Sequence, residues 1–135
     1  MNSSKEINKN INLYRNIGYL TYAISTSYED HSKESIQLMK NDLLKSWYFI
    51  TQRNMENESE SYIQTELILN WLISHGFSSN YAWQSFSEFI NNQSKNLDNQ
   101  YKEDLLLYSV DISSKLYTSD KSDLIIDKVR KILFF

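Results

Sequence analysis

The chain contains no proline and only two glycines among its 135 residues. Folds built from β-strands need many tight turns, and tight turns depend heavily on glycine and proline. Helices joined by short polar loops need few of either residue. The scarcity of both therefore favours an all-α fold, and no segment of the sequence shows the strict alternation of polar and apolar residues that is typical of a half-buried strand.

Six segments instead repeat apolar residues every three or four positions, which is the pattern of one buried helical face. We predict a compact single-domain bundle of about six helices over residues 7–135, after a frayed start over residues 1–6. Residues 51–61 are predicted to form a polar loop. The apolar positions that define the six faces are Ile7, Ile11, Tyr14, Ile17, Thr21 and Ile24; Ile36, Met39, Leu43, Trp47 and Ile50; Tyr62, Ile63, Leu67, Ile68, Trp71 and Leu72; Ala82, Phe86, Phe89 and Ile90; Tyr101, Leu105, Tyr108, Ile112 and Leu116; Leu124, Ile125, Val129, Ile132 and Leu133.

Polar residues mark the expected helix starts. Ser32 is suited to cap the second helix, either Ser78 or Ser79 to cap the fourth, and Asp120 to cap the sixth. The short side chains of these residues accept hydrogen bonds from the first free backbone N–H groups of a helix. The sequence therefore predicts where three of the helices begin.

The two glycines have different predicted roles. Gly18 lies inside the first helix, where glycine costs about 1 kcal/mol relative to alanine. We interpret it as a position where another helix approaches too closely for a side chain. Gly76 follows Ser74 and His75 at the end of the third helix. It suits the left-handed conformation that often terminates a helix.

Charge and composition exclude several classes of function. The net charge is −3, with both signs spread evenly along the chain, so no basic stripe is present to neutralise phosphates and we expect no nucleic-acid partner. The absence of cysteine excludes disulfides and thiolate chemistry, which fits a reducing cytoplasm. The longest uninterrupted apolar runs are about four residues, whereas a membrane span needs about 20. The first residues lack the apolar stretch of a signal peptide, so we expect a soluble cytoplasmic protein.

The sequence offers little catalytic chemistry. It contains no G-x-S-x-G motif, no glycine-rich phosphate loop and only two histidines, His31 and His75. His75 comes at the end of the third helix, where a cation favours the helix dipole and the last carbonyls, so we predict a capping role for it. We therefore predict that the protein is not an enzyme and binds no cofactor.

The densest cluster of hard metal ligands consists of Glu29, Asp30, His31 and Glu34, at the predicted bend between the first two helices. A bend can fold carboxylates around a cation. However, polar residues at a helix start usually only solvate a turn. We therefore predict no metal site, with these four residues as its weak candidates.

Partner contacts are predicted at aromatic residues that fall off the buried faces. Tyr48, Phe49 and Tyr81 are less clearly buried and are predicted to mark an exposed patch. The basic, amphipathic C-terminus either docks on the core as a final helical turn or contacts a protein partner or a membrane surface. We favour the core for Ile132 and Leu133, and predict contact for Phe134 and Phe135.

Several segments share a likeness to one family. They are residues 16–24, with the sequence Asn-Ile-Gly-Tyr-Leu-Thr-Tyr-Ala-Ile, residues 32–36, residues 63–72, residues 82–89 and residues 111–124. Together they resemble the TerB-like (tellurite-resistance B-like) helical domains, in particular the small Bacteroidetes-type members, over about residues 13–133. The resemblance implies an all-helical fold.

The chain departs from the TerB-like pattern at the first bend. Members continue from their first helix into an Ala-Asp-Gly bend, whose acidic residue is suspected of holding a cation. This chain has Tyr28 and Glu29 at the Asp-Gly positions, although Glu34 matches an acidic position of the second helix. The resemblance therefore implies the fold but also the loss of a metal ligand.

The resemblance also guides the functional hypotheses, because TerB-like domains are associated with stress-response systems and are thought to act as interaction or sensing modules. Our first prediction is a non-enzymatic stress-response or interaction module that presents a surface to a protein partner, with peripheral membrane association left open. The alternative is a small intracellular immunity or antitoxin protein, whose gene would lie beside that of its toxin. A metal-dependent catalyst built on the acidic bend is the third hypothesis.

Overall fold

A computed structural model describes residues 4–51, 59–93 and 95–135, with the side chains of residues 4–10, 59 and 60 excepted. All secondary structure in these ranges is helical, as predicted. Residues 52–58, most of the predicted polar loop, and residues 1–3 lie outside the described ones. The six helices are α1 (Ser4–Ser25), α2 (Lys33–Thr51), α3 (Ser59–His75), α4 (Ser79–Gln93), α5 (Asn99–Leu116) and α6 (Ser119–Phe134). None of these helices is long and apolar enough to cross a membrane.

Helix α1 forms the centre of the bundle. It packs mainly against α3, α4 and α5, while α6 covers α5 and α2 lies between α5 and α3. Its second half is buried on nearly every side, including Ile17, Leu20, Ala23 and Ile24. A helix surrounded by neighbours needs apolar or internally bonded residues all round. Accordingly, the hydroxyl of Thr21 bonds the backbone carbonyl of Ile17 at 2.7 Å.

The helix starts confirm two of the predicted caps and correct the third. The Ser32 hydroxyl accepts a hydrogen bond from the backbone N–H of Ser35 at 3.1 Å, and that of Ser78 accepts one from Tyr81 at 3.1 Å. The prediction for Asp120 was wrong, because α6 begins earlier, at Ser119, with Thr118 in the cap position. The Asp120 carboxylate lies in the first turn, where the helix dipole still favours a negative charge. Helix α1 likewise begins at Ser4, before the predicted start at Ile7.

Both glycine predictions are confirmed. A Cβ atom on Gly18 would lie 2.8 Å from the backbone oxygen of Thr65 in α3, so the two helix backbones touch at this point. Gly76 has a φ of 63°. Its N–H donates to the carbonyl of Ile73 at 3.2 Å, and that of Phe77 donates to the carbonyl of Leu72 at 3.3 Å. This pair of bonds is the Schellman motif that ends many helices.

Tyrosine hydroxyls join elements that are distant in the sequence. Tyr117 donates to the carbonyls of Ile24 and Ser25 at 2.7 and 2.9 Å, and burial raises the pKa of Tyr117 to about 12. The hydroxyl of the fully buried Tyr108 is 2.7 Å from that of Thr21. Burial raises the pKa of Tyr108 far above its usual range. The neutral hydroxyls therefore satisfy buried backbone and side-chain groups in the core.

One buried polar side chain in α1 has no such partner. Asn16 is buried, and neither its amide nitrogen nor its carbonyl oxygen forms a hydrogen bond to the described residues. It lies beside a small cavity of about 170 Å³ between α1, α3 and α4. An unsatisfied buried polar group costs about 1–3 kcal/mol. Asn16 is therefore expected to lower the free energy of unfolding.

We predict that Asn16→Leu stabilises the protein. Leucine has a similar size, leaves no unbonded polar atom and is the better helix former, so the free energy of unfolding should rise by about 1 kcal/mol. Thermal unfolding followed by circular dichroism measures the effect. Asn12→Leu, at an exposed position of the same helix, controls for helix propensity. An equal rise in both variants would mean that burial of the amide carries no cost.

Candidate interaction surface

The four candidate metal ligands at the α1–α2 bend do not converge on one point. The Asp30 carboxylate pairs with Lys121 of α6 at 2.8 Å, and His31 Nε2–H donates to the carbonyl of Leu116 at 2.7 Å. Glu29 and Glu34 are exposed. Within the described part of the chain, no three histidine, aspartate or glutamate side chains are placed to share a cation. Asp30 and His31 instead fasten the α1–α2 bend to the α5–α6 bend.

The predicted aromatic contacts separate into one buried and four exposed residues. The prediction for Tyr48 was wrong: it is buried because it faces α3, where its hydroxyl is 2.8 Å from that of Ser61. Phe49, Tyr81, Phe134 and Phe135 are exposed. They lie on α2, α4 and α6 and at the C-terminus.

Phe49 borders a groove between α2 and α5. The groove has a volume of about 700 Å³, and Leu107 and Val110 line its α5 side. At its edge, burial alone would raise the pKa of Asp111, but hydrogen bonds from Ser46 and Lys115 and the charge of Lys115 outweigh this and lower it. The groove is thus apolar, with an ionised carboxylate on its rim that pairs with Lys115 at 2.9 Å.

A more continuous apolar surface lies on α3. Ile63, Leu67 and Trp71 were predicted to face the core, yet they are 48%, 56% and 37% exposed. They are spaced by four residues and therefore follow one line along the outer side of the helix. The prediction was wrong because α3 is apolar on most sides, so periodicity alone does not identify its buried face. Leu124 in α6 is a similar error, since the neighbouring Ile125 takes the buried position.

Aromatic rings extend this line beyond the end of α3. The ring of Phe77 lies 4.6 Å from that of Trp71 and stacks on that of Tyr81 at 4.5 Å, measured between centroids. We call Ile63, Leu67, Trp71, Phe77 and Tyr81 the α3 ridge. The Schellman turn at the end of α3 places Phe77 beside Trp71.

His75 has the capping role expected from its position. Its Nδ1 lies 3.0 Å from the carbonyl of Trp71, so Nδ1–H donates to a carbonyl near the C-terminal end of α3. The imidazole ring also lies 5.8 Å from the ring of Trp71. His75 therefore supports the position of Trp71 within the α3 ridge.

Cations border the α3 ridge on both flanks. On the α1 side, Arg15 Nε donates to the side chain of Gln64 at 3.3 Å. On the α2 side, Lys40 Nζ donates to Asn70 at 2.9 Å and is 3.9 Å from the Glu66 carboxylate. The ammonium group of Lys33 lies against Gly76. Within the described residues, Arg15, Lys33 and Lys40 thus lie beside α3 or its last turn, and Glu66 of α3 itself lies near Lys40.

The sequence contained one signal of the α3 ridge. The apolar residues of the third helix include Ile63 and Leu67 as well as Leu69, Leu72 and Ile73, which occupy more than one side of the helix. A helix that is apolar all round is normally buried on all sides. Since α3 has neighbours only on some sides, its remaining apolar side is left exposed.

Comparison of the chain with models of known protein families, with curated protein sequences and with solved structures finds no match.

Proposed function

We propose that this protein is a non-enzymatic interaction module that binds a protein partner through the α3 ridge. The observation that carries the proposal is the exposure of Ile63, Leu67 and Trp71 in one line on a rigid helix. Single exposed apolar side chains are common, whereas a contiguous apolar patch marks an interaction site. Tryptophan and tyrosine, which Trp71 and Tyr81 supply, concentrate binding energy at interfaces.

The TerB-like resemblance supports the same class of function. It adds the proposal that the module serves a stress response, in which a small helical domain recognises another protein. The cations and aromatic side chains around the α3 ridge are compatible with such recognition. The stress-response role is tested separately, by whether deletion of the gene alters survival under tellurite or oxidative stress.

We predict that Leu67→Asp abolishes partner binding without unfolding the protein. Leu67 is in the middle of the α3 ridge and half exposed, so the protein tolerates aspartate there, but a partner would bury an unpaired charge against it. Such burial costs several kcal/mol. The measurement is affinity capture from extracts of the native host, followed by titration calorimetry with the purified captured protein.

A matched control uses Leu38→Asp. Leu38 is exposed on α2, away from the α3 ridge, and receives the same substitution. The proposal requires that wild-type protein and the Leu38 variant bind the purified partner with equal affinity, while the Leu67 variant does not bind. If all three proteins bind the partner equally, the α3 ridge is not the interaction surface.

A further inference from the structure

The α3 ridge has a shape and a charge that select one kind of partner. We propose that it receives an amphipathic α-helix of the partner protein whose apolar stripe is flanked by aspartate or glutamate. This inference rests on the proposed function and specifies its ligand. Three features of the ridge support it: its geometry, its aromatic end and the cations that border it.

The geometry of the α3 ridge favours a helical ligand. Ile63, Leu67 and Trp71 occupy successive positions of an i, i+4, i+8 row, which spans about 12 Å at 1.5 Å per residue. Rows of this spacing pack into the grooves of a second helix, most often at a crossing angle of about −50°. No strand edge is present in the described residues to accept an extended peptide by strand addition. Two turns of an amphipathic helix match the length of the row.

The aromatic end provides the anchor of this site. The ring of Phe77 contacts both that of Trp71 and that of Tyr81, so the three side chains support one another in the absence of a partner. Rigid aromatic side chains lose little conformational entropy when a partner covers them. An apolar side chain at the end of the ligand helix therefore finds a preformed contact surface there.

The cations beside the α3 ridge favour a ligand helix with acidic residues next to its apolar stripe. Arg15 lies on one side of the α3 ridge, and Lys33 and Lys40 lie on the other. Lys40 is engaged by Glu66 and Asn70, whereas Arg15 and Lys33 form no ion pair with the described residues. Carboxylates on both sides of an apolar stripe would meet these cations. A ligand with basic flanks would instead be repelled.

The test uses two designed peptides of about 18 residues, a length at which isolated helices become stable enough to study. Both carry leucine in an i, i+4, i+8 stripe, with glutamate flanks in one peptide and lysine flanks in the other. Binding is followed by tryptophan fluorescence, because Trp71 is exposed while Trp47 and Trp83 are each only 5% exposed. Trp71→Phe removes the signal and identifies its source.

We expect the glutamate peptide to shift the emission of Trp71 to the blue and to bind at least tenfold more tightly than the lysine peptide. The preference should shrink as salt is raised, since exposed charges are screened. Arg15→Glu combined with Lys33→Glu should reverse the preference. Both substitutions are at exposed positions, and Lys40 is kept because it holds Glu66 and Asn70. Leu38→Asp should leave both affinities unchanged.

Three outcomes would overturn the inference. They are equal binding of the two peptides, binding of neither, and a Trp71 shift only with vesicles of phosphatidylcholine and phosphatidylserine, which would indicate a membrane surface instead. Binding of the native partner to two variants distinguishes failure of this inference from failure of the proposed function. If Leu67→Asp abolishes partner binding but the Arg15 and Lys33 double variant retains it, the interaction surface stands and the acidic helix is wrong. If Leu67→Asp retains the partner, the proposed function itself fails.

Discussion

Replacing Gly18 by leucine should destabilise the protein strongly, even though leucine is the better helix former. Already the Cβ atom would lie 2.8 Å from the backbone oxygen of Thr65, and a backbone atom has no rotamer with which to avoid it. Helices α1 and α3 must therefore move apart, and overpacking of this kind costs about 3 kcal/mol. The gain of about 1 kcal/mol in helix propensity offsets only part of this cost.

Thermal unfolding measures the result for Gly18→Leu. For a domain of this length, a net loss of about 2 kcal/mol lowers the melting temperature by several degrees. Asn12→Leu introduces the same side chain at an exposed position of the same helix and should raise the melting temperature only slightly, through its gain in helix propensity. A melting temperature for Gly18→Leu equal to that of the wild type would mean that α1 and α3 are not in backbone contact.

Removing the last four residues, Ile132 to Phe135, should also destabilise the protein, in agreement with the core role predicted for the first two of them. Leu133 is buried and Ile132 packs partly against the core. Burial of one such side chain contributes about 1.5–3 kcal/mol, and the truncation removes the last turn of α6 as well. We expect a loss of about 3 kcal/mol, measured by urea unfolding.

A shorter truncation distinguishes residues that stabilise the fold from residues that contact a partner. Phe134 is partly exposed, and Phe135 is 95% exposed, so removing these two residues alone should change the midpoint of urea unfolding little. Binding of the purified partner to this shorter variant then tests the contact role predicted for them. If the two truncations destabilise the protein equally, Leu133 does not contribute to the core and our account of α6 is wrong.

Local physics made much of the fold predictable. Ser32 caps a helix because its own hydroxyl reaches the next turn, and Gly76 ends one because glycine adopts a positive φ without strain. Gly18 was interpretable because an unfavourable residue inside a helix needs a compensating contact. These three predictions depend on neighbours within a few residues, or on one missing side chain, and the structure confirms them.

The errors arose where the outcome depends on distant partners. Leu67 and Trp71 have the same spacing as core residues, and only the positions of α1 and α2 decide that this side of α3 remains exposed. Tyr48 is buried because Ser61 lies opposite it on another helix. The pairing of Asp30 with Lys121 joins residues that are 91 positions apart in the sequence. Sequence periodicity carries no information about such juxtapositions.

Fluorine NMR would show whether a partner covers the α3 ridge. The chain contains three tryptophans, so protein labelled with 5-fluorotryptophan gives three resonances, which substitution of each tryptophan assigns. An unlabelled partner adds no signal. We predict that partner binding shifts the Trp71 resonance and leaves those of the buried Trp47 and Trp83 nearly unchanged. A partner that binds while the Trp71 resonance stays in place would contradict the account.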